Sequence, residues 1–280
     1  MKKLLSFLLI ACMCFTVVTA FTGCGDETDG ANSNNGDTPN GAGDAGADTD
    51  ALSAFTYTQK GSKYCITGVN DNTVTSLVVP DSVTEISLSA FAGCNNLESI
   101  TLPASLFAEK TDSWNKPITT SVAQFFDKSE TSDRDGNQIF THDHYATPAS
   151  LKTVTIAGEL EDAKLPFPST NGKDGDYQVT YEYTSVETII FTGTLKTIGN
   201  YAFRDATSVL KEVSIPNTVT TIGSAIFEYQ KTIQFIRYAG TKAEWEAIEK
   251  AGNWFRDAEL NGFTVHCTDG DIVITTEIYG

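Results

Sequence analysis

The sequence predicts a β-rich solenoid of short parallel strands, with an N-terminal β-hairpin and a C-terminal helix and strand closing its ends. Three observations carry that prediction. Val186, Ile189, Phe191, Leu195, Ile198 and Phe203 recur as Leu210, Val213, Ile215, Val219, Ile222 and Phe227, and Ile233, Ile236 and Tyr238 begin the pattern again. The steps are 24 and 23 residues, and a fixed period of this size marks a repeat array. Each unit also opens with aliphatic residues spaced L-x-x-L-x-L. The step of two between the last pair puts both side chains on one face of a short strand. Finally, Pro80, Pro103 and Pro216 follow the strand at once, and proline removes a donor that a continuing ladder would need.

Energetics require the units to stack. One unit buries about six apolar side chains, each worth roughly 1.5–3 kcal/mol. Ordering its backbone costs roughly 1–2 kcal/mol per residue. A lone unit loses that contest, and only neighbours sharing the same internal rows reverse it.

In chain order, residues 1–23 read as an export signal. Lys2 and Lys3 form the charged start, and Leu4 to Ala20 is apolar but short for a membrane span. Phe21-Thr22-Gly23-Cys24 resembles a lipobox, which would make Cys24 the lipidated first residue. Secretion after cleavage at Val18-Thr19-Ala20 is the alternative. Residues 24–54, rich in Asp, Asn, Gly, Ala and Thr, are expected to be a disordered acidic linker. The repeat domain then spans 55–280.

Phe55 to Val69 reads as a hairpin turning at Gly61-Ser62 and covering the open apolar end. Val74, Leu77, Val79, Val83, Ile86 and Phe91 form a repeat, and Leu97, Ile100, Leu102 and Leu106 restart it. Leu151, Val154, Ile156 and Leu160 give another start. Gly199 and Gly223 follow the second aliphatic pair, where a tight bend is expected to use positive φ. Phe91, Phe203 and Phe227 close their units as apolar plugs.

Irregular insertions interrupt the spacing at about 107–150 and 162–183. The first is expected to be a degenerate repeat with a projecting loop; the second carries the turn-forming run Asn171 to Asp176. Asp133, Asp135 and Asn137 alternate as calcium ligands do, but Gly136 stands at the wrong place for a calcium loop. His142 and His144 could offer imidazoles to zinc, yet no HExxH or second ligand pair accompanies them. An exposed loop is the simpler reading. No nucleophile elbow or phosphate-cradling loop is present, and no cofactor is implied.

At the C-terminal end, Thr241-Lys242-Ala243-Glu244 is a capping box opening a helix expected to reach about Lys250 and stop at Gly252. Trp245 and Ile248 share a face, and Trp245 and Trp254 read as end packing. Phe263, Val265 and Cys267 alternate as a strand that turns at Asp269-Gly270 to pair with Ile272 to Ile278.

The run Leu210 to Phe227 (LKEVSIPNTVTTIGSAIF) and the run Val74 to Pro103 resemble the BspA-like class of leucine-rich repeats, over roughly Phe55 to Ile272. Ser87 replaces the motif glycine, Ile226 the usual small residue, and only Cys94 keeps the motif cysteine. The resemblance implies a right-handed leucine-rich repeat solenoid on a bacterial surface protein. It also implies adhesion to a matrix protein, a glycan or a neighbouring cell.

The outward positions of L-x-x-L-x-L supply a candidate binding face. One column is Ser76, Ser99, Thr153, Thr188, Glu212 and Phe235; the other is Val78, Thr101, Thr155, Ile190, Ser214 and Arg237. The face is rich in hydroxyls until Phe235 and Arg237 meet at its end, though threonine also suits exposed strand positions for propensity alone. With 36 acidic and 19 basic residues the net charge is −17, and losing Lys2 and Lys3 makes it more negative. Such a surface repels nucleic acid and anionic membrane, so membrane contact is expected only through the lipid anchor. The expected function is a cell-surface lipoprotein binding a macromolecule through this face and the inserted loops, and not an enzyme. A surface enzyme with a metal site in the insertions and a structural envelope component are the alternatives.

Overall fold

The computed structural model describes residues 51–108, 110–111, 117–118, 120–135, 138–168, 172–174, 177–183, 185–204, 209–255 and 263–274. The export signal, Cys24 and the linker up to residue 50 lie outside them, as do Gly136-Asn137 and, of the Asn171–Asp176 turn, Asn171, Gly175 and Asp176. The side chains of Asp133 and Asp135 are likewise outside what is described.

The first strands of the described residues are a hairpin, β1 (Phe55–Lys60) and β2 (Lys63–Val69), turning at Gly61 with φ +66°. Strand β3 (Ser76–Val78) follows, then β4 (Val83–Ile86), which pairs in parallel with β2. After β5 (Ser99–Pro103) come the short hairpin β6 (Lys110–Thr111) and β7 (Pro117–Ile118) and a 3-10 turn at Val122–Phe125. A long hairpin follows, β8 (Asp127–Asp135) and β9 (Gln138–Ala146). Next are β10 (Thr153–Asp162), β11 (Gly172–Asp174), β12 (Tyr177–Glu182), β13 (Thr188–Ile198), β14 (Glu212–Ile215) and β15 (Thr221–Ile222). The chain continues through β16 (Phe235–Tyr238), a helix at Lys242–Ala247, β17 (Glu249–Lys250), β18 (Phe263–Cys267) and β19 (Gly270–Ile274).

The opening strands of the repeats form one ten-stranded sheet in the order β19-β18-β16-β14-β13-β10-β5-β3, with β15 and β17 attached through β13. From β3 to β18 neighbouring strands run parallel; β19 turns back antiparallel on β18. The inward row Leu77, Ile100, Val154, Ile189, Val213, Ile236 and Val265 is buried along its whole length. The plugs Phe91, Phe203 and Phe227 are fully buried, and Phe203 stacks on Phe227 at 5.5 Å between ring centroids. Phe227 meets Phe263 edge-on at 5.9 Å. Such pairs add about 0.5–1.5 kcal/mol each beyond the area they bury.

The tight bend differs from expectation. Positive φ falls on Ser89 (57°), Tyr201 (60°) and Ala225 (48°), each two residues before a plug, and not on Gly199 or Gly223. The cost of that conformation is offset by coil-to-coil bonds, because Ser89 N–H donates to Gln124 O, Tyr201 N–H to Ser224 O and Ala225 N–H to Asn253 O. Gly199 and Gly223 are required for a steric reason instead. A Cβ at Gly199 would lie 2.9 Å from Asp162 Cγ, and one at Gly223 would lie 2.6 Å from Asn200 N.

Two further expectations need correction. The helix opens as read, with Thr241 Oγ1 accepting from Glu244 N–H at 3.3 Å and Glu244 Oε2 accepting from Thr241 N–H at 2.7 Å. It ends early, at Ala247, because Glu249–Lys250 is taken up as a strand beside Thr221–Ile222. The two insertions are also not separate loops. They build one four-stranded sheet, β11-β12-β9-β8, in which Thr141–Ala146 pairs in parallel with Tyr177–Glu182. Cys94 and Cys267 are free thiols, so no disulfide joins Cys65, Cys94 and Cys267 to one another.

Candidate functional site

The outward face rests on register. Ser76, Ser99, Thr153, Thr188, Glu212 and Phe235 are cross-strand partners in succession, and the column continues to Thr264 and Val273. Val78, Thr101, Thr155, Ile190, Ser214 and Arg237 form the second column, which continues to His266 and Asp271. All residues of both expected columns are at least partly exposed. Adjacent hydroxyls can bond across strands: Ser99 Oγ donates to Ser76 Oγ at 3.0 Å.

The far end of the face is ordered by charge and ring contacts. Arg237 Nε donates to Glu212 Oε1 at 2.5 Å, and its guanidinium lies 5.2 Å from the centroid of Phe235. Phe235 also meets the His266 ring, tilted, at 5.3 Å between centroids, and His266 Nδ1 lies 2.8 Å from Asp271 Oδ1. These contacts hold three planar side chains in a fixed arrangement before any ligand arrives, which reduces the ordering cost of binding. The repeat spacing alone carries the face only as far as Phe235 and Arg237. Thr264, His266 and Asp271 were detectable as a strand and turn, but their register was hidden because Phe235 and Thr264 stand 29 residues apart instead of 23 or 24.

A charged strip borders the hydroxyl columns. Glu187 lies between Lys152, 3.6 Å away, and Lys211, 2.7 Å away. The hydrogen bond from Lys211 holds the Glu187 carboxyl below the usual carboxylate range. These groups are solvent-exposed, so the strip tunes the field beside the face more than it adds stability.

In the inserted sheet His144 bonds a hydroxyl and a carboxylate. His144 Nδ1 lies 3.2 Å from Ser129 Oγ, and its Nε2 lies 3.1 Å from Glu182 Oε1. Among the described residues no group of three or more His, Cys, Asp or Glu is placed to hold a metal ion. Trp245 and Trp254 are both buried, with ring centroids 5.9 Å apart. Among the described residues no helix is long and apolar enough to cross a membrane.

The family description "BspA type Leucine rich repeat region" matches in six copies over residues 67–129 and 177–247. No curated relative matches the chain. Among solved structures, a leucine-rich repeat protein of T. pallidum is 17% identical, with 66% of this chain and 69% of that chain covered and a TM-score of 0.29. A leucine-rich cell surface protein of Faecalibacterium prausnitzii is 17% identical, with 63% of this chain and 51% of that chain covered and a TM-score of 0.24. A leucine-rich repeat protein of Bacteroides ovatus is 14% identical, with 70% of this chain and 65% of that chain covered and a TM-score of 0.17. The chain thus spans about half the length of the Faecalibacterium protein. The repeated family match, together with strands that fall in register at the expected positions, identifies residues 67–129 and 177–247 as BspA-type leucine-rich repeats.

Proposed function

We propose that the protein is an exported surface lipoprotein, anchored through Cys24 and held off the membrane by its acidic linker. It binds a macromolecular ligand, a matrix or cell-surface protein or a glycan, through the outward face of the repeat sheet. The observation that carries this reading is the continuity of the two outward columns, which end in the ordered group Glu212, Phe235, Arg237 and His266. A stacked parallel sheet offers an extended, rigid surface, and aromatic and arginine side chains are the usual energetic centres of such contacts. Thr101, Thr155, Thr188, Ile190 and Ser214 supply the polar and apolar surround. The N-terminal hairpin and the C-terminal helix and strands act as caps that keep the ends of the array soluble.

The test is capture from matrix and cell-wall extracts with the soluble domain, comparing the native protein with a Phe235→Ala/Arg237→Ala variant. Losing these two contacts should weaken binding by about 2 kcal/mol or more, at least tenfold. Equal capture by the variant would remove this end of the face from the proposal.

A further inference from the structure

The inserted sheet carries a cluster that the repeat architecture does not use. Lys128 and Glu130 lie two apart on β8 and therefore share a face. Register sets Glu130 directly opposite Asp143 and Lys128 opposite Tyr145. Lys128 Nζ is 2.9 Å from Asp143 Oδ1 and 3.0 Å from Glu130 Oε1. The Asp143 side chain is only 8% exposed and shares a small enclosed space with Leu88, Gln124, Tyr145 and Val179. The Lys128 ammonium faces the buried Oδ1 as its ion-pair partner, and the Tyr145 phenol also hydrogen-bonds the Asp143 carboxylate.

A carboxylate taken out of water beside an amine is an expensive arrangement, because Coulomb attraction repays desolvation poorly. Joining the two groups as a neutral amide would abolish both charges without moving either strand. A second carboxylate, that of Glu130, stands within reach of the same nitrogen and is 63% exposed to solvent.

We propose that Lys128 and Asp143 condense into an intramolecular isopeptide bond, with Glu130 carrying the protons. In the ion pair Lys128 is held protonated, its pKa raised chiefly by the hydrogen bond to Asp143. The first event is therefore an uphill proton transfer from Nζ through Glu130 to the Asp143 carboxylate, giving an amine and a carboxylic acid. The Nζ lone pair then adds to Asp143 Cγ, forming the C–N bond. Glu130 accepts a proton from that nitrogen and delivers it to the departing hydroxyl as the Cγ–O bond breaks. One water leaves, and no oxidant or other reactant is consumed. Fixed proximity on paired strands replaces a bimolecular encounter. The reaction is a slow, single-turnover maturation step that ties β8 to β9.

Intact-mass measurement and tryptic peptide mapping of the full-length exported protein test this. The expected result is a chain lighter by one water and a single branched peptide joining the segments around Lys128 and Asp143. Lys128→Arg keeps the positive charge but cannot form the link, so it gives the unlinked reference on a folded background. Glu130→Gln keeps the strand contacts and should leave the bond unformed. Separate linear peptides containing Lys128 and Asp143 in the native protein would overturn the proposal, and a fully linked Glu130→Gln variant would overturn the role given to Glu130.

Discussion

The corner between the opening strands and the next side of the coil rests on two glycines whose roles are unequal, and substituting each by alanine should show it. Gly158 on β10 and Gly193 on β13 are direct register partners, with φ of +107° and +93°. Placing an L-residue in such a conformation costs about 1–2 kcal/mol at either site. Space separates them. A Cβ at Gly158 meets the Ala104 methyl at 3.7 Å and the Ala104 backbone nitrogen at 4.0 Å, both ordinary contacts. One at Gly193 would stand 2.5 Å from Gly158 O and 3.1 Å from Gly158 Cα. That neighbour is backbone, pinned on both sides by the Ala157–Thr192 and Glu159–Thr194 pairs, so relief requires displacing a strand. Overpacking of this kind adds about 1–3 kcal/mol. Gly193→Ala should therefore lose about 2–5 kcal/mol, and Gly158→Ala about 1–2 kcal/mol. Alanine's smaller unfolded-state entropy returns about 0.4–1 kcal/mol in both variants and leaves the difference intact. Urea unfolding followed by circular dichroism measures both. Equal losses, or a larger loss at Gly158, would refute the steric argument.

Two other outcomes follow from packing and burial. Phe203→Ala removes a fully buried plug lying 6.3 Å from Phe191 and 5.5 Å from Phe227, and should cost about 3–5 kcal/mol in a urea titration; a loss below about 1 kcal/mol would show that the ladder does not couple coils. Burial pushes the Tyr181 phenol up to about 12, with smaller effects from Tyr145 and Asp143. The unfolded chain therefore ionises first: the stabilisation is complete below pH about 10 and is lost as pH rises towards about 12, a change of roughly 2–3 kcal/mol. Tyr181→Phe should make the fall over that window shallower, Tyr145, Tyr183 and Tyr238 still contributing, and parallel curves for variant and native protein would contradict it.

The repeat sheet was legible because its signal is local and recurs. A step of two apolar residues followed by proline fixes strand and face, and the period fixes which strand lies beside which. Both outward columns thus follow from the spacing alone. What the period could not reveal is pairing that obeys no period. Strands β9 and β12 meet in parallel across more than thirty residues of chain, and their polar composition gives no alternation to read. The positive-φ positions were misplaced for a related reason. Serine, tyrosine and alanine occupy them, and only the coil-to-coil bonds from Ser89, Tyr201 and Ala225 explain why the backbone accepts the strain.

The irregular middle is better understood as an uninterrupted array with additions than as a break. Ser99 pairs directly with Thr153, and Thr153 with Thr188, so no rung is missing from the sheet although those residues stand 54 and 35 apart. The plug row also runs through the insertion. Phe125 and Phe126 lie 6.2 and 5.7 Å from Phe91, and Phe91 N–H donates to Phe125 O as Phe203 N–H does to Ile226 O. Beyond that turn, Val122 N–H donates to Pro166 O, passing the contact to the next coil. The chain in excess of one period per rung leaves the array after Phe126 and again near Phe167, and the two excesses find each other as β8-β9 and β11-β12. Gln124 and Ser121 of the same turn fasten them, through Tyr181 OH at 3.2 Å and Tyr183 OH at 2.5 Å. Extra sequence was thus tolerated where a coil turns, because a rung's stability depends on its neighbours in the sheet and not on the length of chain between them.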